Sequence, residues 1–246
     1  WAHVFNRVPV ERFSGEMLKA LAAADPCRFF RRMMEFGVGE NFLPELFRMP
    51  HIPAGPPVYH PEGDLLTHSL EVLARMARLT PDATGRFCAF FHDLGKLATP
   101  AHLYPRHFDH DREGGAMAHS LCTRLRLTAG MRKALAWSCR LHLMAARWPE
   151  LRDTTKIRVA EEALKAGIAA FLPLVVRADR NREDVMAEWE LALRVSAMST
   201  AELGIDPQLL APCAEGQEGA RSVPPDERPA FIRGRRVEAV RRLLRG

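Results

Sequence analysis

Apolar positions along this chain recur every three to four residues and almost nowhere every two, which is the spacing of helices packed through one face. Residues 14–24 carry Met17, Leu18, Leu21 and Ala22 on one side. Pro26 opens a second segment with Phe29, Phe30, Met33, Met34 and Phe36, and Gly37 or Gly39 is positioned to close it. Leu43-Pro44-Glu45-Leu46 predicts a short helical turn. Residues 49–61 then hold Pro50, Pro53, Gly55, Pro56, Pro57 and Pro61, a loop and a first boundary. Asp64 is placed to cap a helix bearing Leu65, Leu66, Leu70, Val72, Leu73, Met76 and Leu79. Residues 84–94 are strongly apolar and reach a natural stop at Gly95. Residues 98–113 read as a polar, histidine-rich loop. Helices are predicted near 114–125, 129–145, 154–167, 168–180 and 182–195. An extended Gly- and Pro-rich stretch over 204–229 and a last helix over 232–245 complete the pattern. The fold class is all-α, with a neck-like helical segment over 1–58, a central body over 59–185 and a C-terminal helical tail over 186–246.

Composition narrows the class only a little. At 246 residues, 47% hydrophobic and 26% charged, the chain matches an ordinary globular protein. No apolar run approaches the roughly 20 residues of a bilayer span, so no membrane partner is expected. The opening Trp1-Ala2-His3-Val4 lacks the order of a signal peptide, and its lack of an initial Met leaves open that further sequence lies upstream. Cys27, Cys88, Cys122, Cys139 and Cys213 are odd in number and form no close pairs. They read as buried thiols of a cytoplasmic protein, not a thiolate zinc site. The net charge of +5 suits an anionic partner. Arg233, Arg235, Arg236, Arg241, Arg242 and Arg245 crowd the last helix, as either a solvated face or a phosphate-backbone contact.

The chemistry concentrates in histidine and aspartate. His92-Asp93 ends an apolar helix, where two adjacent polar side chains are costly unless paired or coordinated. Imidazole with carboxylate suits a divalent cation. His68 lies on the preceding helix and Asp179 follows the apolar run 171–176. Side chains on separate helices converge in this way in metal-holding bundles. Lys96, three residues past the pair, and Arg106 are candidate phosphate contacts, with exposed-loop roles as the plain alternative. His107 and His110 sit so close that spacing does not separate them, and His142 follows on a later helix. His60 and Glu62 precede the first candidate ligand and read as shaping their loop. Trp137, Trp148 and Trp189 read as core aromatics.

The order His68, His92-Asp93, Asp179 resembles the signature of the HD phosphohydrolase superfamily. The strings HPEGDLLTH, FHDLGK and YPRHFDH are similar to the C-terminal body of bacterial CCA-adding tRNA nucleotidyltransferases, and residues 10–19 and 26–46 to their neck. The resemblance covers the chain to about Arg182. It implies that His68, His92, Asp93 and Asp179 ligate a divalent metal, with Asp93 bridging if two ions bind and His110 and His142 supplying the second. Mg, Mn, Ni, Co, Fe and Zn all suit such donors. It further implies a metal-dependent phosphohydrolase in which Asp93 and Lys96 are catalytic, while Lys96, Arg106 and His107 bind a phosphoester or nucleotide substrate. Candidate substrates are 2′,3′-cyclic phosphates or 2′-phosphates of nucleotides or RNA ends. The alternatives are a tRNA-binding body and a hydrolase of signalling nucleotides. The Gly-Gly loop and paired aspartates of the nucleotidyltransferase head do not occur in these residues. The chain as given is therefore not expected to add nucleotides: either the head lies upstream, or this is a headless relative.

Overall fold

The structure, a computed structural model, describes residues 7–183, 185–211 and 222–244. Helices dominate it: α1 (Val10–Ala22), α2 (Cys27–Phe36), α3 (Pro44–Arg48), α4 (Leu65–Leu79), α5 (Ala83–Phe91), α6 (His110–Arg124), α7 (Ala129–Ala146), α8 (Asp153–Ala166), α9 (Leu172–Arg180), α10 (Trp189–Ala197) and α11 (Arg228–Leu243). Among the described residues the sole β-type pairing is one isolated bridge, Pro53 to Asp64.

Local sequence sets many of the ends. Asp64 accepts the Thr67 N–H at 2.9 Å, Asp82 accepts those of Thr84 and Gly85 at 3.0 Å, and the Thr128 hydroxyl accepts that of Met131 at 3.2 Å. These are side-chain caps on donors the helix itself leaves unpaired. Gly37 adopts φ +58° and closes α2, with the Val38 N–H returning to the Met33 carbonyl at 3.1 Å.

Several predicted bounds shift. α1 begins four residues early, immediately after Pro9, whose fixed φ suits a helix entrance. α6 begins at His110, so the histidine-rich loop is shorter than expected; one 3-10 turn, Leu94–Ala98, leads into it and a second, Ala101–Leu103, lies within it. α9 and α10 start late, at Leu172 and Trp189, because residues 168–171 and 185–188 form turns that apolar spacing does not reveal. In the stretch expected to be extended, Pro207–Leu210 form a 3-10 turn, and residues 212–221, including Cys213, lie outside the described residues. Gly95 is not a helix cap. A Cβ there would overlap the His110 carbonyl and the Gly114 N–H, so glycine is required for the 3-10 turn to press against α6.

A continuous core joins the neck-like helices to the body. Phe30 of α2 stacks on Phe90 of α5 at 4.0 Å between ring centroids. Arg86, buried in α5, donates to the carbonyls of Leu21 and Ala23 at the end of α1 and to those of Ala77 and Thr80. One guanidinium thus satisfies four carbonyls that would otherwise be desolvated and unpaired. Trp148 meets Trp189 edge-on at 5.3 Å, and each indole N–H reaches a backbone carbonyl. Trp137 is half-buried against the core. Cys27, Cys88, Cys122 and Cys139 are free and buried. Burial pushes the Cys88 and Cys122 thiols up to about 12. No helix of the described residues is long and apolar enough to cross a membrane.

Candidate metal centre

Five helices and one turn deliver the cluster. His68 lies one turn into α4 and His92 follows the last residue of α5. Asp93 opens the turn Leu94–Ala98, His110 begins α6, His142 sits late in α7, and Asp179 is near the end of α9. All but Asp179 are buried, and the Asp179 side chain is only 15% exposed.

Asp93 stands at the centre with its two oxygens facing different sets. Oδ2 lies 3.5 Å from His68 Nε2 and 3.3 Å from His92 Nε2; Asp179 Oδ1 lies 3.2 and 3.6 Å from the same two nitrogens. Oδ1 lies 3.2 Å from His110 Nε2 and 3.3 Å from His142 Nε2. The donor atoms of His68, His92 and Asp93, and those of Asp93, His110 and His142, each gather within 4.8 Å of one another.

The far side of each ring fixes its tautomer. His92 Nδ1 donates to Ala89 O at 2.9 Å, His110 Nδ1 to His107 O at 2.7 Å, and His142 Nδ1 to Cys139 O at 2.7 Å. A carbonyl only accepts, so Nδ1 carries a proton and Nε2 is the ring atom turned into the cluster. His68 Nδ1 meets Glu62 Oε1 at 2.7 Å, and the same oxygen meets His60 Nδ1 at 2.9 Å. Imidazoles that ligate metals are oriented by such partners. Nε2 of His68, His110 and His142 is buried and makes no aligned hydrogen bond. Buried orphans of this kind are rare without a ligand, and the donor set fits a divalent cation.

Charge supports the fit. Burial opposes ionisation of Asp93 and Asp179, but the His92 and Lys96 charges at Asp93, and the contacts with His68 and His92 at Asp179, hold both carboxyls well below the usual range. At His92 burial lowers the pKa, yet Asp93 and Asp179 outweigh it and raise the ring to about 10. The space between the two carboxylates therefore demands positive charge, which a proton or a divalent cation can meet. Burial also lowers His110, but Asp93 more than offsets it. At His142 burial prevails and its pKa falls.

The remaining predicted residues separate. Lys96 is buried, with Nζ 2.6 Å from Asp93 Oδ2 and 2.6 Å from Ala54 O; it lines the cavity as a partner of Asp93. His110, and not His107, reaches the cluster. The His107 ring is held by Thr99 Oγ1 at 2.9 Å and Pro53 O at 2.8 Å, outside the cavity lining. Arg106 is exposed and also outside it. The cluster opens into a cavity of about 380 Å³. Its lining includes Tyr59, Arg75 and Arg180, which spacing arguments overlooked; the helical repeat His68, Glu71, Arg75 was the available signal for Arg75.

Comparison with known proteins agrees with this geometry. Residues 65–180 match the HD domain model, and residues 2–49 match a model described as the probable RNA and SrmB-binding site of polymerase A. The chain is 34% identical over 246 residues to the multifunctional CCA protein of Methylococcus capsulatus, an alignment covering 95% of this chain and 54% of that protein. It is 42% identical over 151 residues to the protein of the same name from Alkalilimnicola ehrlichii, covering 61% of this chain and 36% of the relative. A third, from Thioalkalivibrio sulfidiphilus, is 39% identical over 161 residues, covering 65% and 38%. The chain thus spans between about a third and about half the length of these relatives. The histidine–aspartate cluster thus lies inside the segment, residues 65–180, that is similar to the HD domain, in a chain that is similar to part of the multifunctional CCA proteins.

Proposed function

We propose that this protein is a divalent-metal-dependent phosphohydrolase, acting as phosphodiesterase or phosphatase on 2′,3′-cyclic phosphates or 2′-phosphates of nucleotides or RNA ends. The observation that carries the reading is Asp93, whose two oxygens each face a separate pair of Nε2-directed histidines. His68, His92, Asp93 and Asp179 would hold one ion, and Asp93, His110 and His142 would hold a second. A bound divalent ion supplies Lewis acidity toward a phosphoryl oxygen and a more acidic water. The protein's own groups do the rest. The Nδ1 hydrogen bonds keep every ring in one tautomer, and the buried walls limit water around the reacting phosphate. Lys96 offsets the charge on Asp93 Oδ2 and lines the cavity that an incoming phosphate oxygen would enter.

Metal-stripped protein, resupplied in turn with Mg, Mn, Ni or Co and assayed on 2′,3′-cyclic AMP, tests this. Turnover should return with at least one metal and fall by a factor of at least about a thousand in Asp93→Ala, consistent with losing charge stabilisation worth roughly 4 kcal/mol. Folded wild-type protein that turns over no cyclic nucleotide with any metal would sink the cyclic-phosphodiesterase reading. The match over residues 2–49 favours a second reading, a tRNA-binding body. Salt-sensitive tRNA binding without metal-dependent turnover would select it.

A further inference from the structure

The metal-bearing cavity continues into another. Arg75 and Asn181 line both, and the second, about 280 Å³, is otherwise lined mainly by Arg78, Arg177, Arg182 and Glu183. On α4, His68, Glu71, Arg75 and Arg78 recur at helical spacing on one face. The stripe therefore leads away from the cluster for about 15 Å of helix rise. One nucleotide with its phosphate at the cluster does not span that length, whereas linked nucleotides do.

The groove combines fixed and free arginines. Arg75 donates to Ala178 O at 2.8 Å and pairs with Glu71 at 2.5 Å, while Arg177 pairs with Glu183 at 2.5 Å. Arg78 and Arg182 are exposed and have no hydrogen-bond or ion-pair partner among the described residues. Arginine in preference to lysine suits a phosphate, which accepts the planar fork in two hydrogen bonds. At the cavity mouth Tyr59 is 77% exposed, an aromatic face available to a base.

We propose that this arginine groove binds the phosphodiester backbone of a single-stranded ribo-oligonucleotide whose terminal phosphate lies at the metal cluster. Placing that terminal phosphate rests on the phosphohydrolase reading, but the groove's hold on the chain is measurable without turnover. Arg78 and Arg182 are the backbone-binding side chains.

The test is fluorescence anisotropy of a 5′-labelled ribo-oligonucleotide ending in a 2′,3′-cyclic phosphate, titrated with metal-stripped protein across a salt series. Wild-type protein is compared with Arg78→Ser/Arg182→Ser and with Arg78→Lys/Arg182→Lys. The serine pair should lose about tenfold in affinity at low salt. The slope of log affinity on log salt should become shallower by about 1.4, or about 0.7 for each phosphate no longer neutralised. The lysine pair should keep the slope. With metal restored, the serine pair should lose kcat/KM on the oligonucleotide and keep it on mononucleotide 2′,3′-cyclic AMP. Unchanged affinity and slope in the serine pair would overturn the groove, whatever the turnover. Altered affinity and slope in a protein that hydrolyses neither substrate would uphold the groove and remove the phosphohydrolase reading instead. Displacement of the label by a mononucleoside tetraphosphate at lower concentration than by unlabelled oligonucleotide would assign the groove to a polyphosphate and overturn the RNA occupant.

Discussion

At the scale of single residues, Glu62 has the most consequential hidden role. One carboxylate oxygen receives Nδ1 of both His60 and His68, so it sets the ring orientation of a candidate ligand without facing the cluster itself. Burial would raise the Glu62 pKa, but its contacts with His60 and His68 keep it below its ordinary value, so it holds those rings as a carboxylate. Glu62→Ala should weaken Mn²⁺ binding by about 10- to 100-fold, the usual effect of removing an orienting partner. Glu62→Gln, which keeps an accepting oxygen, should weaken it less. Equilibrium dialysis reads both, with circular dichroism as the folding control, and equal affinity in wild type and Glu62→Ala would reduce Glu62 to a loop residue.

At the scale of elements, the site depends on how closely the Leu94–Ala98 turn approaches α6. Gly95 permits that approach because its missing side chain leaves room for the His110 carbonyl. The obstructing atoms belong to backbone, which yields less readily than a side chain. Gly95→Ala should therefore cost about 1–3 kcal/mol in urea unfolding, the range for overpacking a filled interior. It should also displace His110 and Gly114 together. The set formed by Asp93, His110 and His142 then fails first, and metal stoichiometry falls while the set around His68 and His92 persists. Retention of full stoichiometry and stability would show that the turn can relax without moving α6.

At the scale of the whole molecule, the arginine-rich C-terminus has an internal use. Arg233 and Arg236 both reach Glu161 of α8, at 2.7 and 2.5 Å, and Arg241 reaches Asp153 at 2.9 Å. Three of the arginines that suggested a nucleic-acid contact therefore fasten α11 to the body, and Arg245 lies outside the described residues. The Glu161 side chain is only 7% exposed, so removing it strands two partly buried guanidinium groups. Glu161→Ala should destabilise by about 2–3 kcal/mol, below the usual cost of breaking a fully buried pair because the arginines stay partly solvated. It should make α11 an early site of proteolysis and leave metal affinity unchanged, since Glu161 does not line the cavity. Unaltered protease resistance would mean that apolar contacts such as Val237 hold the helix on their own.

The sequence alone determined the helical class, the cap at Asp64, and the candidacy of His68, His92, Asp93 and Asp179, because these follow from periodicity, side-chain chemistry and motif order along the chain; it narrowed the close of α2 to Gly37 or Gly39, and the structure chose Gly37. It located α4 and α7 closely for the same reason, and missed the starts of α1, α6, α9 and α10, where turns and proline geometry outweigh apolar spacing. Only the tertiary structure decided between His107 and His110, which are three residues apart and chemically identical: the αL residue Asp109 starts α6 so that His110 alone faces Asp93. It alone revealed Lys96 as the buried partner of Asp93, the Glu62 bridge, and the pairing of the terminal arginines with Glu161. Each depends on a contact between segments distant in space or in sequence, or on which way a side chain turns, and neither the spacing of residues nor their type encodes that direction.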